Sequence, residues 1–239
     1  MRRTLRGLAD DLIFGVSVAG LVVIAVVWVG ARTSFESRSF ASSAGVSGYT
    51  ALAHRDPPTT WPCNAELEVA VHLGRVPEPQ RQRLLDDIDT SLSAITAASP
   101  YTLVRTRSLT EIPNGANLQA VAIAAGVDLV IAVDDHTKPQ STDLLTPGSY
   151  GTGGHFFNDS HAFVGWALID VKAVNELTFG GGPQSLQTLI LHEVLHALGL
   201  GHNDARASVM QPDLSGPTGR LGDVDIAGLG RLNTLACGQ

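Results

Sequence analysis

The chain has 239 residues, which leaves room for one folded domain of ordinary size beside an N-terminal segment. Hydrophobic residues make up 44% of it, as expected for a chain that buries a core. The formal net charge is −7 and the basic residues are scattered, so the sequence lacks the basic face of a nucleic-acid-binding protein.

An uncharged apolar run extends from Leu12 to Ala31, after an N-terminal tip that contains three arginines. Its length is at the lower end of what spans a bilayer as a helix, and it is long for a signal peptide. We therefore favour a transmembrane anchor over residues 1–32, with a cytoplasmic tip. A signal peptide is the alternative, because Val29-Gly30-Ala31 is an acceptable cleavage site. Both interpretations place the remaining chain outside the cytoplasm, either tethered to the cell membrane or secreted.

Residues 33–60 are rich in serine, alanine, glycine and proline, which predicts a flexible linker or a short propeptide. The folded domain is predicted over residues 61–239. Its two cysteines, Cys63 and Cys237, lie near its two ends. In a reducing compartment they would be free thiols, whereas outside the cell they could form a disulfide between the first strand and the C-terminus. The export segment favours the disulfide.

Hydrophobic periodicity predicts the elements of this domain in chain order. Alternating or continuous apolar residues predict strands at Glu66–Leu73, Tyr101–Leu109, Val127–Val133, His155–Phe157 and Ala162–Ile169. Helical spacing predicts helices at Pro77–Ala98, around Leu189 and at Asp223–Leu235. Strands that alternate with helices in this order indicate an α+β fold, in which helices back a mixed, mostly parallel, twisted sheet.

The most informative stretch has the pattern HExxHxxGxxH, whose fixed positions are His192, Glu193, His196, Gly199 and His202. Apolar residues surround the first half, which predicts a buried helix. Residues four apart lie on one helix face about 6 Å apart, so the first two histidines can reach one metal ion. Gly199 suits the end of the helix, where a left-handed backbone is common. The chain can then return His202 to the same ion.

Three imidazoles and an open fourth position are typical of a catalytic zinc site, because a structural zinc is closed by a fourth protein ligand. Glu193, beside the ligands, has the place of a general base that takes a proton from the attacking water and delivers it to the leaving amine. Two histidines on a buried helix could be ordinary core residues. The complete pattern makes that interpretation improbable.

These residues resemble the metzincin metalloproteases, and more narrowly their matrixin branch. HEVLHALGLGH matches the extended zinc-binding consensus, SVMQP matches the Met-turn, and LGDVDIAGLGRL is similar to the start of the matrixin C-terminal helix. The resemblance is clear from Leu186 to Leu235 and looser back to Trp61. It implies a metzincin-like zincin fold, with an active-site cleft between a sheet-and-helix lobe and a small irregular C-terminal subdomain that contains the Met-turn and the terminal helix.

The resemblance also implies roles for single residues. Met210 would pack beneath one catalytic Zn²⁺ without binding it, and Pro212 to Leu214 would form a wall of the substrate pocket. Substrate would pair in extended form with an edge strand, here near His155–Phe157. We therefore expect a zinc endopeptidase that acts on protein or peptide substrates, binds no nucleic acid and is a monomer.

The sequence departs from the family in two respects. No cysteine-switch motif precedes the domain, and the position of Cys63 in WPCNAE favours the disulfide over a switch. A second Zn²⁺ or a Ca²⁺ is unsupported, because the remaining histidines and acids form only a loose cluster that we interpret as solvated loop residues: His136, His155, His161, Asp134, Asp135 and Asp159. We interpret Asp204, Asp223 and Asp225 as turn and helix-start residues.

Two other functions would use part of the same motif. A non-catalytic, zinc-stabilised binding module of the cell envelope would need the histidines, but it would not need Glu193. A metal-dependent ribonuclease with similar histidine spacing would lack both that glutamate and the Met-turn, and the chain has no basic face.

Overall fold

The computed structural model describes residues 37–39, 50–52, 58–111, 117–138, 144–145, 148–158, 161–214 and 219–238. The apolar run that was predicted to be an anchor or a signal peptide lies outside these residues. No helix within the described part of the chain is long and apolar enough to cross a membrane.

The described elements follow one another in chain order. The strands are β1 Ser37–Ser39, β2 Thr50–Leu52, β3 Glu66–His72, β4 Thr102–Ser108, β5 Leu129–Asp134, β6 Gly151–Phe157, β7 Ala162–Asp170 and β8 Leu200–Gly201. The helices are α1 Glu78–Ala98, α2 Leu118–Ala125, α3 Val171–Glu176, α4 Leu186–Leu198 and α5 Asp223–Ala236.

A five-stranded sheet with the order β4-β3-β5-β7-β6 forms the centre of the domain. The pairs β3–β4, β3–β5 and β5–β7 are parallel, whereas β6 runs antiparallel to β7 at the edge. Every residue of β5 is buried, because this strand is central and covered on both faces. The predicted α+β fold with a mixed, mostly parallel sheet is confirmed.

Helices cover both faces of the sheet. On one face, α1 and α4 share a hydrophobic core with inward-facing residues such as Val69 and Ile131. On the other face, α2 packs against Ala70 and Val130, the neighbours of those residues along the same strands. Neighbouring residues face opposite sides because side chains in a β-strand alternate with a period of two. Helix α4 is enclosed between the sheet and the C-terminal segment, whose residues belong to the same core.

Several elements differ from the sequence prediction. The short helices α2 and α3 were not predicted, because eight and six residues are too few to show a helical period. The edge strand β6 begins at Gly151, earlier than the predicted His155. Its glycine-rich start has low strand propensity, but pairing with β7 supplies the backbone hydrogen bonds.

The predicted linker contains regular structure at two places. Strands β1 and β2 pair with each other, and β2 adds antiparallel to β8, so that Thr50 faces Gly201 and Ala51 faces Leu200. The interpretation as flexible chain therefore does not hold for these strand residues.

The start and the end of the domain are joined covalently. Cys63 and Cys237 form a disulfide with a Cα–Cα distance of 4.8 Å, which confirms the predicted pair. Beside it, the backbone N–H of Asn64 donates to Oδ1 of Asn233 (2.7 Å). The indole N–H of Trp61 donates to the carbonyl of Ala197 near the end of α4 (2.9 Å). The first residues of the domain thus hold both α4 and α5.

Removal of the disulfide should destabilise the domain. We expect the double variant Cys63→Ser/Cys237→Ser to lose about 2–4 kcal/mol of unfolding free energy, because the bond closes a long loop in the unfolded chain. Denaturant titration measures this loss. Reductant should lower the stability of the wild type to that of the double variant and leave the double variant unchanged. A wild type that is equally stable with and without reductant would contradict the assignment.

Candidate metal centre

Helix α4 carries the first half of the HExxHxxGxxH pattern and is buried along its whole length. It begins where the Ser185 hydroxyl accepts the N–H of Thr188 (3.2 Å), as an N-cap residue does. It ends at Gly199, whose φ of 107° lies in the left-handed region and whose N–H donates back into the last turn. The predicted helix stop is confirmed, and the chain can return towards the helix from this point.

The side chains of the three motif histidines converge on one point. The Nε2 atoms of His192 and His196 lie 3.0 Å apart, and each is 3.1–3.2 Å from Nε2 of His202. Nitrogen atoms bound at about 2.0–2.1 Å to a tetrahedral zinc ion lie about 3.3 Å from one another. The three side chains therefore have the spacing of a tetrahedral zinc site.

Hydrogen bonds on the far side of two rings fix which nitrogen faces the centre. Nδ1–H of His192 donates to the carbonyl of Val209 (2.8 Å), and Nδ1–H of His196 donates to the carbonyl of Leu200 (2.7 Å). A carbonyl only accepts, so each ring carries its proton on Nδ1 and presents a lone pair at Nε2. These tautomers are the ones that metal-bound histidines need.

Burial also keeps the imidazoles neutral. It lowers the pKa of His192 to about 4, lowers that of His196 well below its ordinary value and lowers that of His202 as well. In neutral rings the Nε2 lone pairs of His192 and His196 lie 3.0 Å apart without a proton between them, and Nε2 of His202 lies 3.1–3.2 Å from both. Such an arrangement repels itself and becomes favourable when a cation occupies the centre, so the donor set fits zinc.

Glu193 lies beside the ligands and against the edge strand of the sheet. Its side chain is 5% exposed, and burial raises the pKa of the carboxyl to about 8. A cation nearby would favour the charged form and lower that pKa. A Cβ atom on Gly151 would lie 2.8 Å from Oε1 of Glu193, and one on Gly153 would lie 2.1 Å from its carbonyl oxygen. The glycines of β6 therefore let the sheet edge touch the helix at this glutamate.

The predicted Met-turn passes close to the histidines. Met210 is fully buried in the same core cluster as α4, and its carbonyl accepts the N–H of Asn203 (3.0 Å). Beyond the turn, Pro212 is exposed and Leu214 is half-buried with a φ of 52°. The residues predicted to form a pocket wall thus lie at the surface directly after the Met-turn.

The loose cluster of other histidines and acids does not come together. Within the described residues, only the three histidines of the motif form a group of three or more that could hold a metal ion. His136 hydrogen-bonds through Nδ1 to Asp170, and His161 is exposed. The interpretation as solvated loop residues is wrong for Asp134 and His155, which are buried within strands.

The remaining acidic residues have simple positions. Asp135 is half-buried, and its carboxylate accepts from the backbone and hydroxyl of Thr137, whereas Asp159 lies outside the described residues. Asp204 is an exposed loop residue, and Asp223 is exposed at the start of α5. Asp225 is a helix-start residue, as predicted, but it is also 1% exposed and bonded to the Met-turn.

The sequence does not indicate the backbone carbonyls that orient the histidine ligands. The carbonyls of Leu200 and Val209 leave no trace in the sequence, because every residue has a backbone carbonyl, whatever its side chain. Ser208 and Asp225, which hold the turn, are detectable only as polar residues within mostly apolar segments.

Zinc binding should depend on His202 and not on histidines outside the motif. We expect His202→Ala to lower zinc affinity by 100-fold or more, on the order of ~3 kcal/mol, because it removes one of three ligands. Competition with a chromophoric chelator measures the affinity. His161→Ala removes an exposed imidazole and should bind one zinc per chain with wild-type affinity. Equal affinities for the two variants would contradict the assigned ligand set.

Comparison with known proteins agrees with this geometry. The family model described as Matrixin matches residues 130–233, from β5 to the last turns of α5. The matched region includes all three histidines, Glu193 and the Met-turn. No curated protein matches the chain significantly. The segment that the family model matches is similar to the matrixins, and together with the three-histidine cluster it supports a zinc metalloendopeptidase.

Proposed function

We propose that the chain hydrolyses peptide bonds of proteins outside the cytoplasm, with Glu193 as the general base. The observation that carries the proposal is the open donor set of His192, His196 and His202 beside a buried glutamate. Among the described residues, no fourth histidine, cysteine, aspartate or glutamate joins the three ligands. A site of this kind suits catalysis, because one position is left for water or substrate.

The chemistry is divided between the ion and the protein. When bound, zinc supplies a Lewis acid that lowers the pKa of a water molecule and polarises the scissile carbonyl. The three imidazoles would hold the ion and, as neutral ligands, would add no negative charge to it. Glu193 accepts the proton of the attacking water at its carboxylate and then donates it to the nitrogen of the leaving amine. The buried setting around the carboxylate excludes bulk water from this transfer.

The edge strand supports an extended peptide as the substrate. β6 is the last strand of the five-stranded sheet and has no strand partner on its outer side within the described residues. A peptide can add to such an edge through main-chain hydrogen bonds. Because Gly151 and Gly153 contact Glu193, a peptide on this edge would run close to the general base. Pro212 and Leu214 would then contact the substrate from the opposite side.

Two features support a location outside the cytoplasm. The apolar run Leu12–Ala31 suits a membrane anchor or a signal peptide. The disulfide between Cys63 and Cys237 suits an oxidising compartment. We propose a monomer whose catalytic domain is tethered to the outer side of the cell membrane, or is secreted if the N-terminal segment is cleaved.

Loss of the general base should abolish hydrolysis and spare metal binding. We expect the zinc-loaded full chain to digest an unfolded protein such as casein, and Glu193→Ala to lose several orders of magnitude in kcat/KM. Glu78→Ala removes an exposed glutamate at the start of α1 and should retain wild-type activity. Release of acid-soluble peptides and the zinc content of each variant are the measurements.

Two outcomes would contradict the proposal. Equal activity of Glu193→Ala and the wild type would exclude Glu193 as the base. A wild type that binds one zinc yet cleaves nothing in a broad peptide library would favour the non-catalytic binding module.

A further inference from the structure

A buried serine hydroxyl connects three segments behind the metal centre: the loop after His202, the Met-turn and the start of α5. Oγ of Ser208 accepts the side-chain amide of Asn203 (2.8 Å) and the backbone N–H of Met210 (3.0 Å), and it donates to Asp225. Ser208 is 0% exposed. A serine hydroxyl has one donor and two acceptor positions, so all three are used.

The carboxylate of Asp225 extends this cluster into the terminal helix. It accepts from the Ser208 hydroxyl, from the N–H of Val209 (2.9 Å) and from the N–H of Gly222 (2.8 Å). Asp225 lies in the first turn of α5 and is 1% exposed. Hydrogen bonds to a buried charged acceptor are among the stronger ones, so the start of α5 and the Met-turn form one unit.

One rigid peptide group connects the cluster to the first ligand. The peptide between Val209 and Met210 accepts Nδ1–H of His192 at its carbonyl and donates its N–H to Oγ of Ser208. Because the peptide unit is planar, a hydrogen bond that fixes its N–H also fixes the direction of its carbonyl. The orientation of the His192 ring therefore depends on the Ser208 hydroxyl through a single peptide plane.

A second connection reaches the third ligand. Asn203 follows His202 directly, its side chain donates to Ser208, and its backbone N–H donates to the carbonyl of Met210 (3.0 Å). The short loop that returns His202 to the centre is thus tied to the same hydroxyl. His196 does not share these bonds, because its Nδ1–H donates to Leu200.

We propose that Ser208 and Asp225 are positioning residues that set the orientation of His192 and His202 and thereby the affinity of the site for zinc. Neither residue touches the centre itself. Partners behind metal ligands change metal affinity by about 10- to 100-fold when they are removed, because the ligands lose their pre-set orientation. This proposal concerns zinc affinity and the proposed function concerns peptide hydrolysis, so either can fail while the other stands.

The test compares two buried serines in the full chain. Ser208→Ala should raise the zinc dissociation constant by about 10-fold or more, measured by competition with a chromophoric chelator. Ser91→Ala is the matched control: this hydroxyl is also 0% exposed and donates to the carbonyl of Asp87 (2.8 Å), with the carbonyl of Gln187 in the first turn of α4 at 3.3 Å, and it contacts no group that orients a ligand. Both variants should lower the thermal midpoint of the zinc-free protein, but Ser91→Ala should keep wild-type zinc affinity.

Further variants keep the inference testable if Ser208→Ala does not fold. Asn203→Ala changes a half-buried loop residue, and it removes the bond to Ser208 and the bond from the N–H of Ala205 (3.0 Å). It should weaken zinc binding less than Ser208→Ala, because the peptide that orients His192 keeps its bond to Ser208. Asp225→Asn should weaken zinc binding, and its combination with Ser208→Ala should give less than the sum of the two effects, because both act through one connection.

Two results would overturn the inference. One is wild-type zinc affinity in both Ser208→Ala and Asn203→Ala. The other is an equal loss of affinity in Ser91→Ala and Ser208→Ala, which would mean that a general loss of stability weakens the site.

Discussion

The constraint on which the structure depends is the approach of three neutral imidazoles whose Nε2 atoms all face one point. Their Nε2 atoms lie about 3 Å apart, so the lone pairs of His192 and His196 repel each other unless a cation lies between them. The fold has to hold this arrangement while it keeps the rings out of water. Enclosure of α4 by the sheet and the C-terminal segment meets both needs, because it lowers the pKa of each imidazole and restricts its movement.

The scaffold behind the ligands is divided between two parts of the chain. His196 is oriented by the carbonyl of Leu200, in the short strand β8 to which the N-terminal strand β2 adds. His192 is oriented by the Met-turn, which the terminal helix holds through Asp225. The disulfide and the Trp61 hydrogen bond then connect the start of the domain with the ends of α4 and α5. Distant segments of the chain thus act on a centre whose ligands lie within eleven residues of one another along the sequence, from position 192 to position 202.

Local sequence patterns predicted much of this arrangement. The histidine spacing, the helix stop at Gly199 and the pair Cys63–Cys237 depend on residue type and position, so they are visible in the letters. The sequence could not predict the orienting carbonyls, the burial of His155 or the close contact of Gly153 with Glu193. These features arise when residues far apart in the chain meet, and nothing local in the sequence encodes them.

An open zinc site with three histidine ligands is the feature on which the proposed function depends. X-ray absorption spectroscopy of the zinc-loaded full chain measures the ligand set most directly. We expect three imidazole nitrogens and one oxygen from water, at about 2.0–2.1 Å. A fourth protein ligand, such as a sulfur at about 2.3 Å or a fourth imidazole, would close the site and contradict a catalytic role for the metal.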